Sequence, residues 1–110
     1  MDTSMGNGIE VSVIVPTTPG YSSLLNRTVQ ELLAHFRESH PNQFELVMVT
    51  NGKVSPSLEN LKFEVKALAN THPEIRVSHV TGKPGKGAAL QLGFANSSGR
   101  YICFTDADLP

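Results

Sequence analysis

The residues able to do chemistry gather in two places. Asp106 and Asp108 flank Ala107 directly after the apolar run Tyr101-Ile-Cys-Phe-Thr105. On a turn, two carboxylates at that spacing can converge on one hard divalent cation, while a diphosphate and water complete its oxygen shell. Such a cation would neutralise a diphosphate leaving group, a Lewis-acid role. Any two solvated aspartates at this spacing match equally well, so the pair takes its meaning from its surroundings. The second place is Thr81-Gly-Lys-Pro-Gly-Lys-Gly87, whose glycines permit close backbone approach and whose Lys83 and Lys86 put charge near a predicted helix N-terminus, a position suited to phosphate. A turn carrying solvated lysines is the alternative.

Two familiar phosphate motifs are excluded for that loop. A Walker A sequence would continue Lys-Ser/Thr where Ala88-Ala89 follow Gly87, and a dinucleotide fingerprint begun at Gly85 would need a small residue at Leu90. The histidines are poor candidates for a general base, which must reach the attacking group. His35 and His40 lie in or near the first predicted helix, His72 at the end of the second, and only His79 near a strand's carboxyl end.

These loops need a scaffold, and the chain alternates element types cleanly. Ile9 to Val15 is β-branched and apolar between Gly8 and Pro16 and reads as a buried strand. From Ser22 to Ser39, Leu24, Leu25, Val29, Leu32, Leu33 and Phe36 recur at helical spacing, with a serine cap before them and Pro41 beyond. Phe44 to Val49 is a second strand, closed by Asn51-Gly52. Ser55-Pro56 supplies a cap and a first-turn proline for a helix carrying Leu58, Leu61, Val65 and Leu68. Ile75 to Val80 is a third strand, Lys86 to Asn96 a shorter helix, and Tyr101 to Thr105 a fourth strand.

The order β-α-β-α-β-α-β predicts an α/β fold, a Rossmann-like three-layer α/β/α arrangement around a mostly parallel sheet. Ligands of such sheets bind outside the carboxyl ends of the strands. That rule selects Pro16 to Gly20, Thr50 to Lys53, Thr81 to Gly87, and Asp106 to Asp108 as loops crowding one edge.

Composition excludes other classes. The chain has 110 residues, 39% apolar and 17% charged, which suits one domain, and its net charge of −1 shows no basic excess for nucleic acid or an anionic membrane. Residues 1–8 are expected to be disordered and carry neither a signal-peptide pattern nor, with Asp2, a myristoylation signature. No apolar run is long enough to cross a bilayer. The single Cys103 lies between Ile102 and Phe104 and is expected to be a buried small hydrophobe in a reducing, cytoplasmic setting. The sequons at Asn26 and Asn96 then read as chance matches.

Taken in order, Val11-Ser-Val-Ile-Val-Pro16, Glu45-Leu-Val-Met-Val49, Gly85-Lys-Gly-Ala-Ala-Leu90, Leu92-Gly-Phe94, Gly99-Arg-Tyr-Ile102 and Phe104-Thr-Asp-Ala-Asp-Leu109 resemble the family 2 glycosyltransferases of GT-A fold. Within them the chain is similar to the polyprenyl-phosphate and dolichyl-phosphate hexose transferases. The resemblance implies a partial domain over residues 1–110, the nucleotide-sugar-binding half of an inverting enzyme that moves a hexose from UDP- or GDP-hexose to an acceptor such as a polyprenyl phosphate. It further implies that Pro16 and Thr17 line the nucleoside pocket and that Thr50 and Asn51 meet the base. By the same resemblance, Gly85, Lys86 and Gly87 approach the nucleotide, Asp106 serves nucleotide and metal, and Asp108 completes a site for Mg²⁺ or Mn²⁺.

The chain departs from the family pattern at two loops. Thr17-Thr-Pro-Gly20 stands where Tyr-Asn-Glu is common, and Thr50-Asn-Gly-Lys53 stands where Asp-Asp-Gly-Ser is common. Asn51 can still meet a base through its amide. The family's acceptor-side base belongs to a later segment, so the 110-residue chain is expected to be inactive alone and peripheral to a membrane in a longer form. The resembling fold orders its strands 3-2-1-4, which predicts an open edge at residues 101–105 and pairing there, by homodimerisation or docking. A noncatalytic interaction or regulatory module retaining the same fold is the alternative.

Overall fold

The computed structural model describes residues 8–106. The expected disorder of residues 1–8 falls, but for Gly8, outside the described residues, as does the metal-ligand assignment of Asp108. Four strands, β1 (Val11–Thr17), β2 (Phe44–Thr50), β3 (Ile75–His79) and β4 (Tyr101–Phe104), alternate with the helices α1 (Ser22–Ser39), α2 (Pro56–Thr71) and α3 (Lys86–Ala95). All three strand pairings are parallel and the spatial order is β3-β2-β1-β4. The predicted fold class and strand order both hold.

β1 and β2 are buried on both faces, as central parallel strands must be when helices cover each side. Val11, Val13 and Val15 of β1 and Phe44, Leu46 and Met48 of β2 meet Leu25, Val29 and Leu33 of α1 and Leu58, Leu61 and Val65 of α2. On the opposite face Ile14, Val47, Val49 and Val80 meet Ala89 of α3, with Leu92 and Ile102 packed against them. The second layer is thinner because α3 comes very close to the sheet. A Cβ added at Gly93 would lie 2.4 Å from Ile14 Cγ2, so only glycine fits that crossing.

β1 runs two residues further than its composition predicts, through Pro16. Main-chain bonds alternate sides along it: Thr17 O accepts from Asn51 N on the β2 side, and Ile14 O accepts from Thr105 N on the β4 side. Pro16 thus turns its missing N–H towards β4, beyond the last paired residue Phe104, where the ladder needs no donor. α2 begins as its sequence foretells, with Ser55 Oγ accepting from Leu58 N at 3.1 Å and Pro56 in the first turn.

Cys103 is exposed, contrary to the expectation of burial. It stands opposite Val13 in the register, on the face covered by α1 and α2, but the core of that layer draws on β1, β2 and β3 and leaves β4 out. Partial desolvation still pushes the Cys103 thiol above its ordinary pKa, which disfavours the reactive thiolate. Tyr101 and Phe104 of the same strand are also exposed, so β4 is an edge of the described sheet with open apolar side chains.

Candidate functional site

The four loops selected by the strand-end rule do meet. Pro16, Thr18, Asn51, Lys86 and Asp106 line a cavity of about 250 Å³ at the carboxyl edge. Drug-sized ligands occupy clefts of about 300–1,000 Å³, so this hollow suits part of a nucleotide sugar better than all of it.

Asn51 is the joint of the site. It is buried, its N–H extends the β1–β2 pairing by donating to Thr17 O at 3.0 Å, and its Oδ1 accepts from Gly85 N at 3.0 Å. One residue therefore ties the loops after β1, β2 and β3 together, through its main chain on one side and its side chain on the other. The bond to Gly85 occupies Oδ1, so the Nδ2 donors are the part of the amide able to meet a ligand. Gly52 completes the turn: its φ of 150° and the 3.2 Å from a built Cβ to Pro19 Cδ leave no room for a side chain between the first two loops.

Lys86 opens α3 and reaches Asp106, with Nζ 3.0 Å from Oδ1 and both side chains about half exposed. A cation at a helix N-terminus is disfavoured by the macrodipole, and Asp106 restores negative charge there. The N-cap, Gly85, makes no side-chain capping bond. An anion docking at this point would meet a lysine and the helix end together, the combination that favours phosphate.

Several residues expected at the site lie elsewhere. Thr17 is fully buried and its Oγ1 has no hydrogen-bond partner among the described residues. The period of two along a strand explains this: Pro16 and Thr18 share the face that looks into the cavity, and Thr17 falls on the other. The same alternation makes Thr18, not Thr17, the cavity residue of this loop. Thr50 is buried beneath the rim, its Oγ1 2.8 Å from His79 Nδ1, so the two groups engage each other and neither lines the cavity. Gly87 sits exposed in the first turn of α3, and Lys83 is an exposed loop residue.

The carboxyl-edge geometry is matched by kinship. Residues 12–109 match the model of Glycosyl transferase family 2. The chain belongs to this family. A dolichyl-phosphate beta-glucosyltransferase of Trichomonas vaginalis is 34% identical over 85 residues, covering 77% of this chain and 24% of the relative. A dolichol-phosphate mannosyltransferase of Saccharomyces cerevisiae is 33% identical over 103 residues, covering 92% of this chain and 36% of the relative. Among solved structures, a mannosyltransferase from Pyrobaculum calidifontis in complex with GDP-Man and Mn²⁺ superposes with a TM-score of 0.71 at 25% identity, covering 90% of this chain and 27% of the other. The family 2 chain thus spans 24 to 36% of the lengths of these proteins. The parallel α/β sheet with its helices is the fold of a GT-A glycosyltransferase.

A metal has one described carboxylate here. No group of three or more His, Cys, Asp or Glu side chains lies together among the described residues. Asp106 nevertheless fits a hard cation: it is an oxygen donor, half exposed, facing a cavity whose other lining residues are Pro16, Thr18, Asn51 and Lys86. A cation there must draw most of its ligands from outside the described residues, as from a diphosphate.

Proposed function

We propose that this chain provides the nucleotide-sugar-binding part of an inverting hexosyltransferase whose acceptor is a polyprenyl phosphate. The convergence of Asn51, Lys86 and Asp106 on one cavity at the carboxyl edge, with Gly85 bonded to Asn51 beside it, carries this reading. The relatives named for dolichyl-phosphate and dolichol-phosphate transfer, and the neighbour solved with GDP-Man and Mn²⁺, support the substrate class.

In the reaction an acceptor oxygen attacks the anomeric carbon, the bond from that carbon to the diphosphate breaks, and configuration inverts. The residues of this edge serve the leaving-group side. Asn51 Nδ2 offers a donor to the nucleoside, while Pro16 and Thr18 wall its pocket. Lys86 and the uncapped start of α3 hold the phosphates, and Lys86 leaves Asp106 as it does so. Asp106 would hold Mn²⁺ or Mg²⁺, which when bound supplies Lewis-acid neutralisation of the diphosphate.

Calorimetric titration with GDP and with UDP, each with and without Mn²⁺, tests the proposal. Binding that strengthens with Mn²⁺ and weakens in Lys86→Ala is expected, and the preferred base emerges from the same data. Absence of binding by both nucleotides under every condition overturns it.

A further inference from the structure

The most unusual group away from the cavity is Glu45, a charged side chain in the centre of the sheet, only 3% exposed. Its Oε2 accepts three hydrogen bonds, from Ser12 Oγ at 2.7 Å, Ser98 N at 2.8 Å and Ser98 Oγ at 3.0 Å. Ser12 Oγ in turn accepts from Gly99 N at 2.7 Å, and Arg76 Nε stands 3.8 Å from Oε1. A buried carboxylate is tolerated only when its oxygens are satisfied in this way. All of these contacts lie at the amino end of the sheet, opposite the cavity, and they grip the turn joining α3 to β4.

Glycine is required at that turn. A Cβ at Gly99 would stand 2.7 Å from Ser12 N and 2.9 Å from Val11 C, so the chain enters β4 pressed against the β1 backbone.

β4 needs such a grip because little else sets its register. It is four residues long, bonds only to β1 within the described sheet, and carries apolar or aromatic side chains on both faces, most of them exposed. A one-residue slip would exchange Tyr101 and Cys103 for Ile102 and Phe104, and of these four only Ile102 is partly buried against the core, so little apolar packing opposes it. Register is strongly specified where one face is buried and weakly where it is not. Such a slip would also carry Asp106 along and to the other side of the strand line, away from Lys86. Clamp and carboxylate stand at opposite ends of β4, roughly 15–20 Å apart at about 3.3 Å per extended residue.

We infer that Glu45, Ser12 and Gly99 form a register clamp on β4, making Glu45 a positioning residue for Asp106. The clamp also ties the end of α3 to the start of β4, and these two elements deliver Lys86 and Asp106 to the cavity. The ligand-binding arm of its test rests on the reading given under Proposed function; the exchange arm does not.

Ser12→Ala removes the hydroxyl shared by Glu45 and Gly99, and Gly99→Ala pushes the turn away by steric contact, so the two variants attack the clamp differently. In hydrogen exchange on the 110-residue chain, the amides of Tyr101 and Thr105, bonded to Glu10 O and Ile14 O, should exchange faster in both variants. The β2 amides should keep their protection. In GDP titrations, both variants should lose affinity about tenfold with Mn²⁺ present, the low end of the loss seen when direct partners of a metal ligand are removed, since the clamp acts on Asp106 from a distance. Both should match the unmodified chain without Mn²⁺. In an Asp106→Asn background, Ser12→Ala should have no further effect on binding, a non-additivity that a general loss of stability would not produce.

Wild-type protection of Tyr101 and Thr105 in both variants overturns the clamp, as does equal weakening with and without Mn²⁺. If the unmodified chain binds no nucleotide at all, the functional reading fails and the exchange result alone decides the clamp.

Discussion

The two sides of β1 differ in what holds them. Towards β2 and β3 the chain is fixed by apolar packing: Leu25, Leu33, Leu46, Met48, Leu58 and Leu61 are essentially inaccessible, and two helices close over them. Towards β4 little apolar surface is covered: a four-residue ladder and the partly buried Ile102 join the Glu45 cluster at one end and the Lys86–Asp106 pair at the other, with Tyr101 and Phe104 open between them. Apolar burial is non-directional and tolerant of small errors, whereas hydrogen bonds fix a distance and an angle. The first side makes the domain stable, and the second decides where its chemistry-bearing residues stand.

The contrast can be broken most severely from the packed side. Leu25→Ala should cost about 2–5 kcal/mol, the usual range for truncating a buried leucine, and chemical denaturation reads it directly. Glu45→Ala should follow at about 3 kcal/mol, because it orphans buried donors that now share one carboxylate oxygen. Gly93→Ala sharpens the comparison, since it forces α3 off Ile14 and should cost about 1–3 kcal/mol while moving the helix that carries Lys86. Nucleotide affinity should therefore fall in Gly93→Ala more than in Leu25→Ala at matched folded fraction.

The smallest effect belongs to a surface pair remote from both regions. Arg37 forks onto Glu74 with Nε and Nη2 at 2.8 and 3.0 Å, and that hydrogen bond holds the Glu74 carboxyl below its ordinary pKa. A lowered carboxyl contributes stability above the unfolded value and loses it as pH falls through the folded one. Arg37→Ala should lower the melting midpoint by a few degrees at neutral pH, equivalent to about 0.5–1 kcal/mol, and by nothing once Glu74 is protonated. Thermal melts of the two proteins across the acid range check the sign.

How much of this was legible in the sequence follows the same division. The packed side was readable because apolar periodicity reports burial: α1 and the Ser55-Pro56 start of α2 fall where the pattern puts them. Cys103 was misread because an apolar strand looks the same whether or not a helix covers it, and covering is a property of the whole sheet. The loops forming the cavity follow from the strand-end rule, whereas Thr17 is placed in the pocket by the family resemblance alone, and alternation through Pro16 gives that place to Thr18. Glu45 was hidden inside the apolar run Phe44 to Val49, where a lone acid reads as a solvated position. Its partners Ser12, Ser98 and Gly99 are distant in sequence, so only the fold brings them together.

The most direct test of the division into a packed side and a site side uses one conservative change, Asp106→Asn, and two readings on the same sample. The melting midpoint should stay within about 0.5 kcal/mol equivalent of the unmodified chain, as for an exposed pair, while the strengthening of GDP or UDP binding by Mn²⁺ should vanish. A lowered midpoint with Mn²⁺ dependence intact would make Asp106 a structural residue and contradict the account.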